Sequence, residues 1–243
     1  MTGLLAALGF LTALPTPGTS SPRALASSVA WFPAVGLLLG GMVAALDAGL
    51  QRILPGTVTA ALLVAALALL TGGLHLEGLA DAADGLFGGQ TVEERLRIMR
   101  DPTVGAYGVI AVVLVLILKF VAIASLTAPR WPSLLIVPAL GRWSMAWAIV
   151  SFPYARSEGL GSAFRAGPLA LSFASLTVFL AVAVHLQVKA IAPLGVTAIA
   201  AMATTGLMLR RLPGLTGDCY GAINEICEAA ALLALVALPS IWP

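Results

Sequence analysis

Three carboxylates, Glu77, Asp81 and Asp84, recur at i, i+4 and i+7 within GGLHLEGLADAADGLFGG, positions 72–89. At roughly 100° per residue they share one helical face within an arc of about 60°. The rise across them is about 10 Å at 1.5 Å per residue, too far for one ion to take all three. Two metal ions, or one metal and a proton-accepting carboxylate, suit that spacing better. Hard oxygen ligands without an accompanying cysteine suit Mg²⁺ or Mn²⁺, and magnesium binds through a few carboxylates together with phosphate oxygens. A phosphate or pyrophosphate substrate is the chemistry this pattern expects.

Other residues extend the candidate site. His75 is a candidate base or extra ligand, although on a continuous helix it faces away from Glu77. Nine of the eleven acidic residues fall in two segments, and the second supplies Asp218, Glu225 and Glu228. In ERLRIMRDPTVGAYG, Arg100 can clamp a phosphate bidentately, with Asp101 beside it. Arg142, midway along an apolar stretch, needs an anionic partner, either a carboxylate or a substrate phosphate. Glu93 and Glu94, next to Arg95 and Arg97, read as an ordinary solvated face. Cys219 and Cys227 have the wrong spacing for a metal or redox motif and read as free thiols.

The elements that position these groups must be membrane helices. Of 243 residues, 60% are hydrophobic and 10% charged, and the mean hydropathy is +1.01, which excludes an ordinary water-soluble globule. A net charge of +2 is too small and dispersed for a nucleic-acid partner. Apolar runs predict spans near 29–50, 57–74, 105–126, 133–152, 168–185 and 191–209. A seventh reaches full length only if Asp218, Glu225 and Glu228 join the helix that follows them. The run from Gly3 to Leu14, broken by Pro15 and Pro17, is too short to span and predicts an interfacial or re-entrant helix. With seven spans, Arg23, Arg95, Arg97, Arg100, Arg156, Arg165, Arg210 and Arg211 fall on one side and Arg52, Arg130 and Lys189 on the other. That bias predicts the amino terminus and both acidic clusters on the cytoplasmic face. Lys119, towards the end of its span, is expected to snorkel to the interface. His185 is expected at the interface, and Trp131, Trp143 and Trp147 are expected to pack or to anchor there. The whole chain, 1–243, reads as one all-α polytopic bundle with no separate soluble domain.

Together these segments resemble cobalamin synthase, the adenosylcobinamide-GDP ribazoletransferase family. The likeness runs through ALPTPG, WFPAVGLLLGG, GGLHLEGLADAADGLFGG, RLRIMRDPTVGAYGVIA, PALGR, YAR followed by GLGSAF, and GLTGDCYGAINEICEA. Glu77 stands where this family often has Asp, which keeps the carboxylate and lengthens its reach. The resemblance implies a Mg²⁺-dependent phosphoryl transfer in the cytoplasmic membrane, compatible with a homo-oligomer. A hydroxyl of α-ribazole, or of its 5′-phosphate, attacks adenosylcobinamide-GDP and releases GMP. Glu77, Asp81 and Asp84 are then expected to hold metal, one of them being available to activate the hydroxyl. Asp218, Glu225 and Glu228 complete the metal shell or contact nucleotide, and Arg100 and Arg142 hold phosphate. Two rival readings are another intramembrane diphosphate-using transferase, of the CDP-alcohol or prenyl type, and an ion-coupled transporter. No Arg follows Ala80 or Ala83 as the CDP-alcohol pattern requires.

Overall fold

In a bilayer every backbone N–H and C=O must be paired within the chain, and this sequence answers with helices. A computed structural model describes residues 2–17, 21–127, 129–156, 159–185 and 191–241. In chain order the helices are α1 (Thr2–Leu11), α2 (Pro22–Ser28), α3 (Phe32–Leu50), α4 (Gly56–Leu70), α5 (Leu74–Gly88), α6 (Val92–Ile98), α7 (Ala106–Ser125), α8 (Trp131–Ser151), α9 (Pro168–His185), α10 (Ile191–Leu209) and α11 (Gly217–Ile241). Among the described residues there is no strand, only an isolated parallel bridge between Tyr154 and Leu215.

Among the described residues, five segments are long and apolar enough to cross a membrane: Pro22–Leu50, Ala106–Ser125, Trp131–Ser151, Ala192–Leu209 and Gly217–Ala237. α4 passes that test only together with α5, from which it is bent by 86°. The bend sits at Gly72 and Gly73, whose φ values of +61° and +73° a side chain would resist. Five or six spans therefore satisfy the criterion where the apolar runs predict seven. The shortfall lies in α4 and α9, because fifteen residues of α4 rise only about 22 Å, less than the roughly 30 Å of hydrocarbon. The last span does extend back to Asp218, as its full length requires.

Small residues set the spacing of the bundle. A Cβ on Gly36 of α3 would fall 2.5 Å from the Cα of Ala139 in α8, so only glycine permits that approach. α1 packs its Gly3, Ala6, Ala7 and Leu11 inward, towards α2 and α3. The outward faces of α7 and α9 expose Val, Leu, Ile and Phe, as a lipid-facing surface does. At the end of the bundle where α3 finishes and α8 begins, Arg130 is buried and ion-paired with Asp47. Lys119 departs from expectation: it is only 4% exposed and turns inward instead of snorkelling. The side chain of His185, together with Lys189 and Trp242, lies outside the described residues.

Candidate active site

The site forms where α5 crosses the start of α11. A Cβ on Gly78 would meet the Asp218 carbonyl at 3.0 Å and the Gly221 Cα at 3.2 Å, so two glycines let the helix backbones touch. That contact brings Asp218 beside the acids of α5. The start of α11 is fixed by Thr216, whose hydroxyl accepts the Cys219 N–H at 3.2 Å, a cap of the kind worth about 1 kcal/mol. The Thr216 hydroxyl also donates to the Asp218 carboxylate at 3.2 Å.

The loop after α8 closes the far wall. Its bridge to the segment before α11 consists of Ala155 N–H donating to Leu215 C=O at 2.8 Å and Leu215 N–H donating to Pro153 C=O at 2.9 Å. So held, Arg156 reaches Asp218 with Nη2 to Oδ2 at 2.9 Å. Glu77, Asp81, Asp218, His75, Tyr154 and Arg156 line one cavity of about 270 Å³, closed on its apolar side by Phe10, Met145, Ile149 and Phe164. Among its described lining residues, three carboxylates face the Arg156 guanidinium.

His75 lines this cavity too, two residues before Glu77 on the same continuous helix. Gly221 lets α11 approach this first turn of α5 closely: a Cβ there would lie 3.1 Å from the His75 carbonyl. His75 is 1% exposed, and neither ring nitrogen has a hydrogen-bond partner among the described residues.

Asp84 shares the helix but not the cavity. Its Oδ2 accepts the Gly105 N–H at 2.7 Å and its Oδ1 the Gly108 N–H at 2.8 Å. Both belong to the start of α7, which has no side-chain cap of its own. An anion at such a terminus stabilises it by about 0.3–1 kcal/mol, and by up to about 2 kcal/mol when partly buried.

Outside the cavity, Arg97, Arg100 and Arg156 line an open depression of about 380 Å³ with Glu93 and Leu96. Arg156 belongs to both spaces and links them. Asp101 is exposed and accepts from the Thr103 N–H at 2.9 Å and from the Thr103 hydroxyl, which holds its carboxyl below the usual carboxylate range. The segment between them is capped locally: the Thr91 hydroxyl accepts the Glu94 N–H, and the Glu94 carboxylate accepts the Gln90 N–H at 2.8 Å. Arg95 is not merely a surface partner, since it donates to the Gly89 and Arg211 carbonyls, each at 3.1 Å.

Glu225, Glu228 and Arg142 are separate from this cavity. Lys119 Nζ lies 2.6 Å from a carboxylate oxygen of each glutamate, and Arg142 pairs with Glu228. Asn224 donates to both acids, at 3.1 and 3.3 Å. The two acidic clusters expected to make one site are thus divided along α11: Asp218 joins Glu77 and Asp81, while Glu225 and Glu228 lie about 10 and 15 Å further along the helix at 1.5 Å per residue. Arg142, expected to hold phosphate, instead has a carboxylate partner and is 1% exposed. Cys219 and Cys227 are free and buried.

Among the described residues no three Asp, Glu, His or Cys side chains converge to hold a metal ion by themselves. Magnesium is commonly held by one or two carboxylates plus substrate phosphates, so Glu77 and Asp81, with Asp218 opposite, suit an ion completed by substrate. The groups that sequence reasoning left without a role are Arg156, Tyr154 and Thr216. Arg156 had a usable signal, a basic residue in a short loop on the same side as the acids.

The family model described as cobalamin-5-phosphate synthase matches residues 3–236. A protein of Alkalilimnicola ehrlichii is 45% identical over 97% of this chain and 95% of its own length. One from Geotalea daltonii is 38% identical over 96% of each, and one from a Roseiflexus species is 40% identical over 94% of this chain and 87% of its own. All three are named adenosylcobinamide-GDP ribazoletransferase. No solved structure matches the chain. With Glu77, Asp81 and Asp218 gathered at one helix crossing and nearly all of its length matched, the chain is an enzyme that belongs to the cobalamin-5-phosphate synthase family.

Proposed function

We propose that this enzyme joins adenosylcobinamide-GDP to α-ribazole, or to its 5′-phosphate, releasing GMP at the cytoplasmic face of the inner membrane. The observation that carries the reading is the cavity in which, among the described lining residues, Glu77, Asp81 and Asp218 outnumber Arg156. Such an excess of negative charge in an apolar bundle calls for a cationic ligand. Glu77 and Asp81, with Asp218, would hold Mg²⁺, which when bound neutralises a diphosphate and stabilises its leaving group. Arg156 and Arg100 grip the phosphate oxygens bidentately, as guanidinium groups do. We assign the proton of the attacking hydroxyl to His75, whose ring nitrogens have no other partner among the described residues. The hydroxyl oxygen bonds to the cobinamide-linked phosphorus as the bond to GMP breaks. A cavity of about 270 Å³ is below the range of about 300–1,000 Å³ that drug-sized ligands occupy, so the much larger corrinoid rests at its mouth.

The names of the relatives support the substrate pair. The transporter reading gains nothing from the bundle interior, where two cations already match Glu225 and Glu228. Purified protein given Mg²⁺, adenosylcobinamide-GDP and α-ribazole should release GMP, and chelation should stop it. No release with either α-ribazole or its 5′-phosphate rejects the proposal. Seven crossings, with α4 and α9 included, place the α5–α6 connection inside and the carboxyl terminus outside. A cysteine replacing Thr91 should then label from the cytoplasm and one after Trp242 from outside; labelling from one face rejects that count.

A further inference from the structure

We infer that Asp84 is a positioning residue, tying the Arg100-bearing loop and the amino end of α7 to the helix that carries Glu77 and Asp81, and is not a metal ligand. The inference deepens the proposed reading of the site, and only its activity measurements depend on that reading. α7 opens on Gly105, which has no side chain to cap the free N–H groups of the first turn. A carboxylate from another helix does so instead, one oxygen to Gly105 and the other to Gly108. The positive end of the helix holds this anion in place.

The surrounding glycines fit the same seat. A Cβ on Gly105 would lie 2.5 Å from Asp84 Oδ1, and one on Gly108 would collide with the Asp84 carboxylate and lie 3.0 Å from the Ala80 carbonyl. The residue after Asp84 is Gly85, where a Cβ would meet Met99 Cγ at 2.5 Å and the Arg95 carbonyl at 2.8 Å. Both ends of the connection from α6 to α7 are therefore pressed against α5 within two neighbouring residues. Between those anchors lies Arg100, which lines the outer depression beside Arg156. Asp84 itself is absent from the lining of the acidic cavity.

Asp84→Asn, Gly105→Ala and Gly108→Ala separate positioning from ligation, because neither glycine has a side chain to offer a metal. Hydrogen exchange over residues 103–108, GMP release and the Mg²⁺ concentration for half-maximal rate would be measured on the full-length protein. Loss of one anchoring bond should speed exchange about tenfold or more in all three variants. Turnover should fall in parallel, while the Mg²⁺ requirement stays within about twofold of the parent. Unchanged exchange in Gly108→Ala overturns the inference, as does Asp84→Asn raising the Mg²⁺ requirement about tenfold with exchange unaltered. Should one variant fail to insert, the remaining two carry the same exchange test. If the parent releases no GMP, the proposed function fails while the exchange data still decide the role of Asp84.

Discussion

Asp218 and Glu228 lie on one helix, yet their surroundings differ in kind. Around Asp218, the described lining of the cavity holds two further acids and Arg156. Around Glu228, two acids meet Lys119 and Arg142 one for one, buried within the bundle beside a mainly apolar pocket that Leu63, Leu67 and Val137 also line. A buried charge that already has its counter-charge stabilises a particular helix arrangement, and removing one partner exposes the cost of leaving the other alone. An acid in excess at a cavity instead has affinity to offer a cation or a cation-bridged phosphate. Counting opposite charges around each acid thus separates those that hold the bundle from those that act on substrate.

The largest effect is expected in the charge-paired cluster. Lys119→Met leaves Glu225 and Glu228 to share Arg142, and unfolding in detergent should show a loss of about 3–5 kcal/mol. Adding Glu225→Gln should restore part of it; strictly additive losses would break the network picture. Next come the cavity acids: Asp218→Asn and Glu77→Gln should each slow GMP release by about a hundredfold or more with little change in unfolding. Arg156→Lys is expected to be milder, raising the KM for adenosylcobinamide-GDP about tenfold because an ammonium cannot grip phosphate with a planar fork. The smallest effect belongs to Thr216→Ala, a lost helix cap costing about 1 kcal/mol of stability. An equal loss of stability in Asp218→Asn and Lys119→Met would erase the distinction between the two regions.

Much of this division was hidden in the sequence. Hydropathy and helical period place Glu77, Asp81 and Asp84 on one face and draw Asp218, Glu225 and Glu228 into the last span, and α5 and α11 agree. Periodicity says which residues share a face; it does not say what lies opposite each turn. The same face of α5 meets open space at Glu77 and Asp81 but the start of α7 at Asp84. Topology puts both acidic segments towards one side, but not the depth at which Lys119, more than a hundred residues away in sequence, crosses Glu225. Arg156 stands in the YAR segment on the predicted cytoplasmic side, but its reach to Asp218 comes with the bridge between Tyr154 and Leu215.

The most direct test of the account compares Asp81→Asn with Glu228→Gln in one preparation, measuring Mg²⁺-dependent GMP release and thermal unfolding together. Asp81→Asn should keep the parental unfolding midpoint and lose about a thousandfold in rate. Glu228→Gln should lose several degrees of midpoint, with its folded fraction still turning over and keeping its Mg²⁺ dependence. Near-parental turnover in Asp81→Asn, or a fully stable but inactive Glu228→Gln, would contradict the assignment of chemistry to the cavity and of support to the charge-paired cluster.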